Sequence, residues 1–174
     1  YIMGDRITSK WTANTIEAFG DNPSVRLGRA GEVAVLTEVN SWTGWHTEDH
    51  EEDYNLQLQG IDISIKKDGW SRFYTVDVKT GRSYLDEYGT IKIDTTESGW
   101  LFSPKKTSDR VWHVNLDTGW MAWYDRKDMI NHIRATVKPG KDYYNIKPSV
   151  KLPFVFRRKL TTNKPDVQFE DIPF

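Results

Sequence analysis

Apolar positions change period along this chain, and each change marks a different kind of element. Over residues 27–40, Ala30, Val33, Ala34 and Val35 or Leu36 recur at helical spacing, which predicts a helix with Glu32 near its beginning. A shorter helix is expected over residues 14–20, where Asn14 and Glu17 form a capping-box pattern and Gly20 a stop. Residues 41–53 hold Trp42, Trp45 and the acidic run from Glu48 to Asp53, and read as a loop.

The period then falls to two. Ile61, Ile63 and Ile65 alternate with Asp62, Ser64 and Lys66, and Asp68-Gly69 is a hairpin signal. Tyr74, Val76 and Val78 alternate with Thr75, Asp77 and Lys79 on the returning strand. A third strand is expected over 90–94. A second hairpin pairs 111–116 with 120–124 through Asp117-Thr118-Gly119, and Asp125 caps a helix over 126–134. The remainder, punctuated by Pro139, Pro148, Pro153, Pro165 and Pro173, reads as extended or irregular. The sum is an α/β or α+β chain with a central mixed β-sheet of four or five strands flanked by helices. Residues 1–136 form the core, and 137–174 a basic, proline-rich extension of the same domain.

Composition narrows the chemistry. At 174 residues, with 37% hydrophobic and 28% charged positions, the chain fits one domain with a real core. No apolar run approaches the roughly 20 residues of a membrane helix, so no membrane partner is expected. There is no leader pattern, and an intracellular site is the expectation. Cysteine is absent, which excludes thiol nucleophiles and zinc ribbons and leaves oxygen or imidazole to hold any metal. The net charge of −1 conceals a split. Residues 1–65 carry four Lys/Arg against eleven Asp/Glu, while 66–174 carry twenty against fourteen. A basic half suits a polyanion such as DNA; a lysine-rich solvated face is the plainer account.

The first hairpin carries the candidate chemistry. A two-residue turn at Asp68-Gly69 puts Ile61 opposite Val76 and Ile63 opposite Tyr74 on an apolar side. On the other side Asp62 faces Thr75, with Asp77 one diagonal step away and Lys79 one step further. Diagonal neighbours lie roughly 7–8 Å apart, so the two carboxylates can converge on an oxygen-preferring cation. Such an ion would relieve their repulsion and activate water. Ordinary polar alternation on a solvent-facing strand explains the same spacing, and spacing alone leaves both open.

Gln59-Gly60-Ile61-Asp62, followed by Asp77-Val78-Lys79, resembles the PD-(D/E)XK nuclease superfamily, the restriction-endonuclease-like fold, over roughly residues 25–95. Arg29-Ala30-Gly31-Glu32 matches the upstream helical glutamate of that family in order and spacing. The resemblance implies a Mg²⁺- or Mn²⁺-dependent DNA endonuclease. Asp62 and Asp77 would be metal ligands, with the Val78 carbonyl a third, Lys79 would position water, and Glu32 would act on the metal through water. Small members of this kind include restriction enzymes, resolvases and homing endonucleases, often phage-encoded, and one site per chain suggests a homodimer. The chain departs from the pattern in three ways. Ile61 stands where proline often precedes the aspartate, Asp77 where many members have glutamate, and no glutamine-bearing helix follows the triplet. A non-catalytic nucleic-acid-binding module on the same fold is the rival reading.

Other candidates are weaker. His46 and His50 beside the acidic run could form another metal site, whereas His113 and His132 accompany no nucleophile motif. Among the tryptophans, Trp42, Trp45, Trp70 and Trp100 fall near predicted loops, where packing is favoured over base stacking. Lys105, Lys106, Arg157, Arg158 and Lys159 are the expected DNA-backbone contacts, with Thr80 and Arg82 as further phosphate candidates.

Overall fold

A computed structural model describes residues 23–81 and 84–161; the short helix expected over 14–20 and the candidate Arg82 lie outside them. The described chain runs α1 (Pro23–Ser41), β1 (Trp45–Asp49), α2 (Tyr54–Leu58), β2 (Ile63–Lys67), β3 (Tyr74–Thr80) and β4 (Ile91–Asp94). It continues through β5 (Arg110–Val114), β6 (Trp120–Asp125), α3 (Arg126–Thr136), β7 (Tyr143–Ile146) and β8 (Phe156–Lys159). Six strands form one sheet in the order β1-β2-β3-β5-β6-β8, and β4 pairs with β7 in a second, two-stranded sheet. Only β3 and β5 run parallel in the large sheet, which makes it mixed. No helix among the described residues is long and apolar enough to cross a membrane.

Two cores flank the large sheet. Ala30, Ala34, Val35 and Val39 of α1 pack on Ile63, Ile65, Val76, Val78, Trp112, Val114 and Met121. Alternation sends the neighbouring side chains to the opposite face. There Val111, Ala122 and Tyr124 meet Met129 and Ile133 of α3, with Ile91, Ile93 and Ile146 of the small sheet. Helix α1 fits because Gly31 has no side chain. A Cβ there would fall 1.8 Å from Thr80 Oγ1, so the helix lies almost directly on the end of β3.

The sheet curls around the C-terminal end of α1. Trp42 lies 5.3 Å from Trp45 of β1 and 6.3 Å from Trp123 of β6. Those strands are four steps apart in the sheet, roughly 19 Å if it were flat. Trp42, Trp45 and Trp70 therefore pack into an aromatic chain that continues to Tyr74, with Trp45 on β1 and Trp42 and Trp70 in the connections beside it, in line with the expectation of packing.

Three expectations need correction. Residues 45–49 form a strand, β1, held by its register with β2 from Trp45↔Lys67 to Asp49↔Ile63. The 90–94 strand lies in the small sheet, and the described sheets hold eight strands. Residues 137–161, expected to be mostly extended or irregular and outside the sheet, supply β7 and β8, which add to both sheets.

The first hairpin differs in register. A turn does close at Lys67–Trp70, with Gly69 at φ +91°. The chain does not return directly, because residues 71–73 intervene, and the pairs are Ile63↔Val76, Ser64↔Thr75 and Ile65↔Tyr74. The slip is two residues, so every side chain keeps its predicted face while changing its partner. Asp62 consequently stands level with Asp77 instead of one diagonal away.

Candidate metal and nuclease site

The site begins where β2 and β3 part. Asp62 is the last residue before β2, and its amide still donates to the Val76 carbonyl at 2.9 Å. One step further the ladder has no strand residue to offer, and the Asp62 carboxylate accepts from the Val78 amide at 2.8 Å. In a strand, a residue's amide and carbonyl point to the same neighbour, so the Val78 carbonyl faces this gap too. Helix α2 delivers the chain here. It ends in a Schellman turn, with Gly60 N donating to Gln57 O and Ile61 N to Leu56 O, and Gly60 takes φ +69°.

Asp77 is buried on the face opposite α1, with 1% of its surface exposed. Its Oδ1 is 2.9 Å from Lys79 Nζ. Its Oδ2 is buried without a hydrogen bond and lies 3.5 Å from Arg126 Nη2. The absent Cβ of Gly60 leaves room beside that oxygen, since a Cβ there would sit 3.4 Å from Oδ2. Lys79 lies over the Trp100 ring, 5.6 Å from its centroid, and pairs across the parallel ladder with His113.

Glu32 reaches the same neighbourhood from α1. Arg29, one turn before it, binds Asp49 through both guanidinium nitrogens at 3.0 and 2.6 Å, meets Glu51 at 3.0 Å and stands 3.9 Å from Glu32. Two acids of the 48–53 run are thus held beside Glu32. The histidines of that region are engaged elsewhere, His46 with Asp68 and His50 with Ser64, both at 2.7 Å.

The electrostatics follow from burial among like charges. Burial and the facing Asp77 carboxylate raise Asp62 to about 7, against the opposing pull of Lys79 and the Val78 amide. Burial and the Asp62 charge push Glu32 well above the usual carboxylate range. Burial works against the Lys79 charge, but Asp77 and Asp62 outweigh it and hold its pKa above normal. His113 is driven down to about 3 by burial and by Lys79, so it is a neutral partner of Tyr124, 2.8 Å away.

Of the four sequence-predicted side chains, Asp62, Asp77 and Lys79 adjoin one another, and Glu32 of α1 is near enough to Asp62 for their charges to interact. Among the described residues no three His, Asp or Glu are grouped closely enough to hold a metal ion between them. The fit for a cation rests instead on two carboxylates and a carbonyl: Asp62, Asp77 with its unsatisfied Oδ2, and Val78. This all-oxygen set suits a hard divalent ion that keeps several waters.

The expected DNA contacts separate. Lys106 stands at the site, its Nζ donating to the Leu58 carbonyl at 3.2 Å, and Lys105 is exposed on the same loop. Arg157, Arg158 and Lys159 lie on β8, three strands from β3, or roughly 14 Å away. Arg157 is the least suited to phosphate, since its guanidinium is half-buried and donates to the Gly89 carbonyl. Arg158 lies over Trp42, 4.4 Å from the ring centroid, and Lys159 is exposed. Thr80 Oγ1 is buried under Gly31, away from any phosphate.

Sequence reasoning missed Arg126, whose guanidinium reaches Asp77 from the first turn of α3. An arginine opening a helix after a hairpin gives no signal of its own, because only the tertiary fold brings it beside Asp77 of β3. No protein-family model, curated protein or solved structure matches this chain, so the reading of the site rests on its geometry and on the motif residues themselves.

Proposed function

We propose that this chain is a metal-dependent endonuclease of the restriction-endonuclease-like kind, hydrolysing DNA phosphodiester bonds inside the cell. The observation that carries the reading is the Asp62–Asp77 pair, brought level at the parting of β2 and β3, with Lys79 Nζ 2.9 Å from Asp77. A structural ion pair needs one carboxylate and one ammonium. The second, half-buried acid, raised to about 7 although the Val78 amide bonds it, and the third, Glu32, beside Arg29, add repulsion that a held cation would relieve.

Asp62, Asp77 and the Val78 carbonyl would hold Mg²⁺ or Mn²⁺. When bound, the ion supplies Lewis acidity and a water of lowered pKa. Lys79 keeps its proton beside Asp77, and its ammonium is placed to orient the attacking water and meet charge on the scissile phosphate. Glu32, whose pKa is raised by burial and by Asp62, would serve as a hydrogen-bond partner for water ordered by the ion. Lys105 and Lys106 on the adjoining loop supply backbone contacts. One such site per chain cuts both strands most simply as a homodimer.

The test is cleavage of supercoiled plasmid, linear duplex and a four-way junction, with Mg²⁺, Mn²⁺ or EDTA. Cutting that requires the ion supports the proposal, and the preferred substrate separates a sequence-specific cutter from a junction-selective one. Cutting that is indifferent to EDTA, or no cutting of any substrate, refutes it.

A further inference from the structure

Arg126 spends its guanidinium in an unusual way. Nε donates to the Ser108 carbonyl at 2.9 Å, and Nη1 to the carbonyls of Trp100 and Leu101 at 2.6 and 2.8 Å. Nη2 donates to Ser108 Oγ at 2.6 Å. Four of its five N–H donors are thereby committed to the 100–108 loop. The remaining edge faces Asp77 Oδ2 at 3.5 Å, too far for a good hydrogen bond yet close enough for charge. Arg126 is itself buried, with 5% of its surface exposed. Its charge is shielded from water, and Asp77 is its only ion-pair partner among the described residues.

The arrangement gives Asp77 two cations on its two oxygens: Lys79 bonded to Oδ1, and Arg126 near Oδ2 without bonding it. An ordinary structural Arg–Asp pair would use the bidentate fork. Here the fork is turned away to the loop, and the Oδ2 lone pairs stay uncommitted beside the space left by Gly60. The same loop also caps α2, through Lys106 on Leu58 and the Thr107 amide on the Gln59 carbonyl at 3.0 Å. It is therefore tied both to Arg126 and to the helix that leads into Asp62.

Resting on the metal reading above, we propose that Arg126 is the resident counter-charge of the site, standing in for a divalent cation beside Asp77 Oδ2 while the site is empty of one. It is a positioning residue and touches no reacting atom. Its guanidinium places a positive charge 3.5 Å from the buried Oδ2 in the cation-free protein, and its missing hydrogen bond leaves Oδ2 available for the ion. Removing the charge leaves the cation-free state short of one positive charge, which a bound ion then restores, and it relieves the repulsion between guanidinium and ion.

The experiment measures thermal midpoints of the full chain in EDTA and in saturating Ca²⁺ or Mg²⁺. It compares wild type with Arg126→Met and Arg126→Lys. Binding to the folded state alone raises the midpoint of wild type. Arg126→Met is expected to melt lower in EDTA and to gain more from the cation than wild type does. Arg126→Lys, which keeps the charge and loses the fork to the loop, is expected to melt lower with the wild-type gain. If Arg126→Met does not fold, Arg126→Gln, which retains donors for the loop carbonyls, carries the same comparison. An equal or smaller cation gain in the neutral variants overturns the inference and leaves Arg126 a tie for the loop. No gain in wild type itself would instead refute the metal reading on which the inference rests.

Discussion

The Asp62 carboxylate takes the hydrogen bond that a strand carbonyl would otherwise accept from the Val78 amide, at 2.8 Å. That bond makes the carboxylate part of the ladder and pins one acid opposite another, at the point where β2 leaves β3. The fold thus holds a repulsive pair in place through backbone geometry, and the cost of holding it shows in the raised pKa values of Asp62 and Glu32.

Stability without a cation should fall with rising pH. A carboxylate whose folded pKa lies above its unfolded value binds its proton more tightly in the folded chain. Its contribution is complete below about pH 4 and is lost as pH rises through about 7 for Asp62. Glu32 adds to the loss in the same direction. Melts in EDTA from pH 5 to 8 should show a decline, on the order of a few kcal/mol at most. Saturating Mg²⁺ should flatten it. A midpoint that rises over this range would contradict the electrostatic account.

Gly31→Ala should loosen α1 from β3. The added methyl meets Thr80 Oγ1 at 1.8 Å and the Thr80 Cβ and Cγ2 at 2.8 Å, so helix or strand must shift. Overpacking of this kind costs about 1–3 kcal/mol, which for a chain of this size is roughly 2–4 °C of midpoint per kcal/mol. Because α1 also carries Glu32, cleavage should fall in proportion beyond the stability loss. Thr80→Ala in the same chain should restore part of both, and a midpoint for Gly31→Ala equal to wild type would mean the contact is slack.

Lys79→Ala should lower the cleavage rate on the order of 10²–10³-fold, the usual cost of removing a group that meets developing charge. Duplex binding, measured by anisotropy, should change far less. A comparable loss of binding would place Lys79 in substrate recognition instead.

Salt dependence separates the basic residues. Lys105→Ala should reduce the slope of log binding constant against log salt by about one, the signature of a lost phosphate contact. Arg157→Ala should leave the slope unchanged and lower the melting midpoint, because that guanidinium is committed to the Gly89 carbonyl. The reverse assignment would move the DNA path towards β8.

The site was legible in the sequence because the chemistry rides on period-two alternation. Asp62, Asp77 and Lys79 were placed on one face, and a register slip of two residues preserves faces. What the slip changed was the partner of Asp62. The Asp68-Gly69 signal correctly located a turn, but could not show that residues 71–73 would extend the connection. Strand β1 escaped because Trp45–Asp49 has no apolar alternation, and His46, Glu48 and Asp49 are exposed. It is a strand by pairing with β2 and by the Arg29–Asp49 bond, both of which are tertiary. The same holds for β7 and β8, whose proline-rich surroundings argue locally against strands. Arg126 was invisible for the opposite reason, since nothing local distinguishes it from any arginine at a helix start.

The most direct measurement is plasmid cleavage by Asp62→Asn in Mg²⁺ at pH 8, with melts of the same samples in EDTA. Asparagine keeps an oxygen to accept from the Val78 amide and removes one of the opposed charges. The account predicts a chain at least as stable as wild type that cuts on the order of 10²-fold more slowly or not at all. Cleavage at the wild-type rate by a folded Asp62→Asn would contradict it.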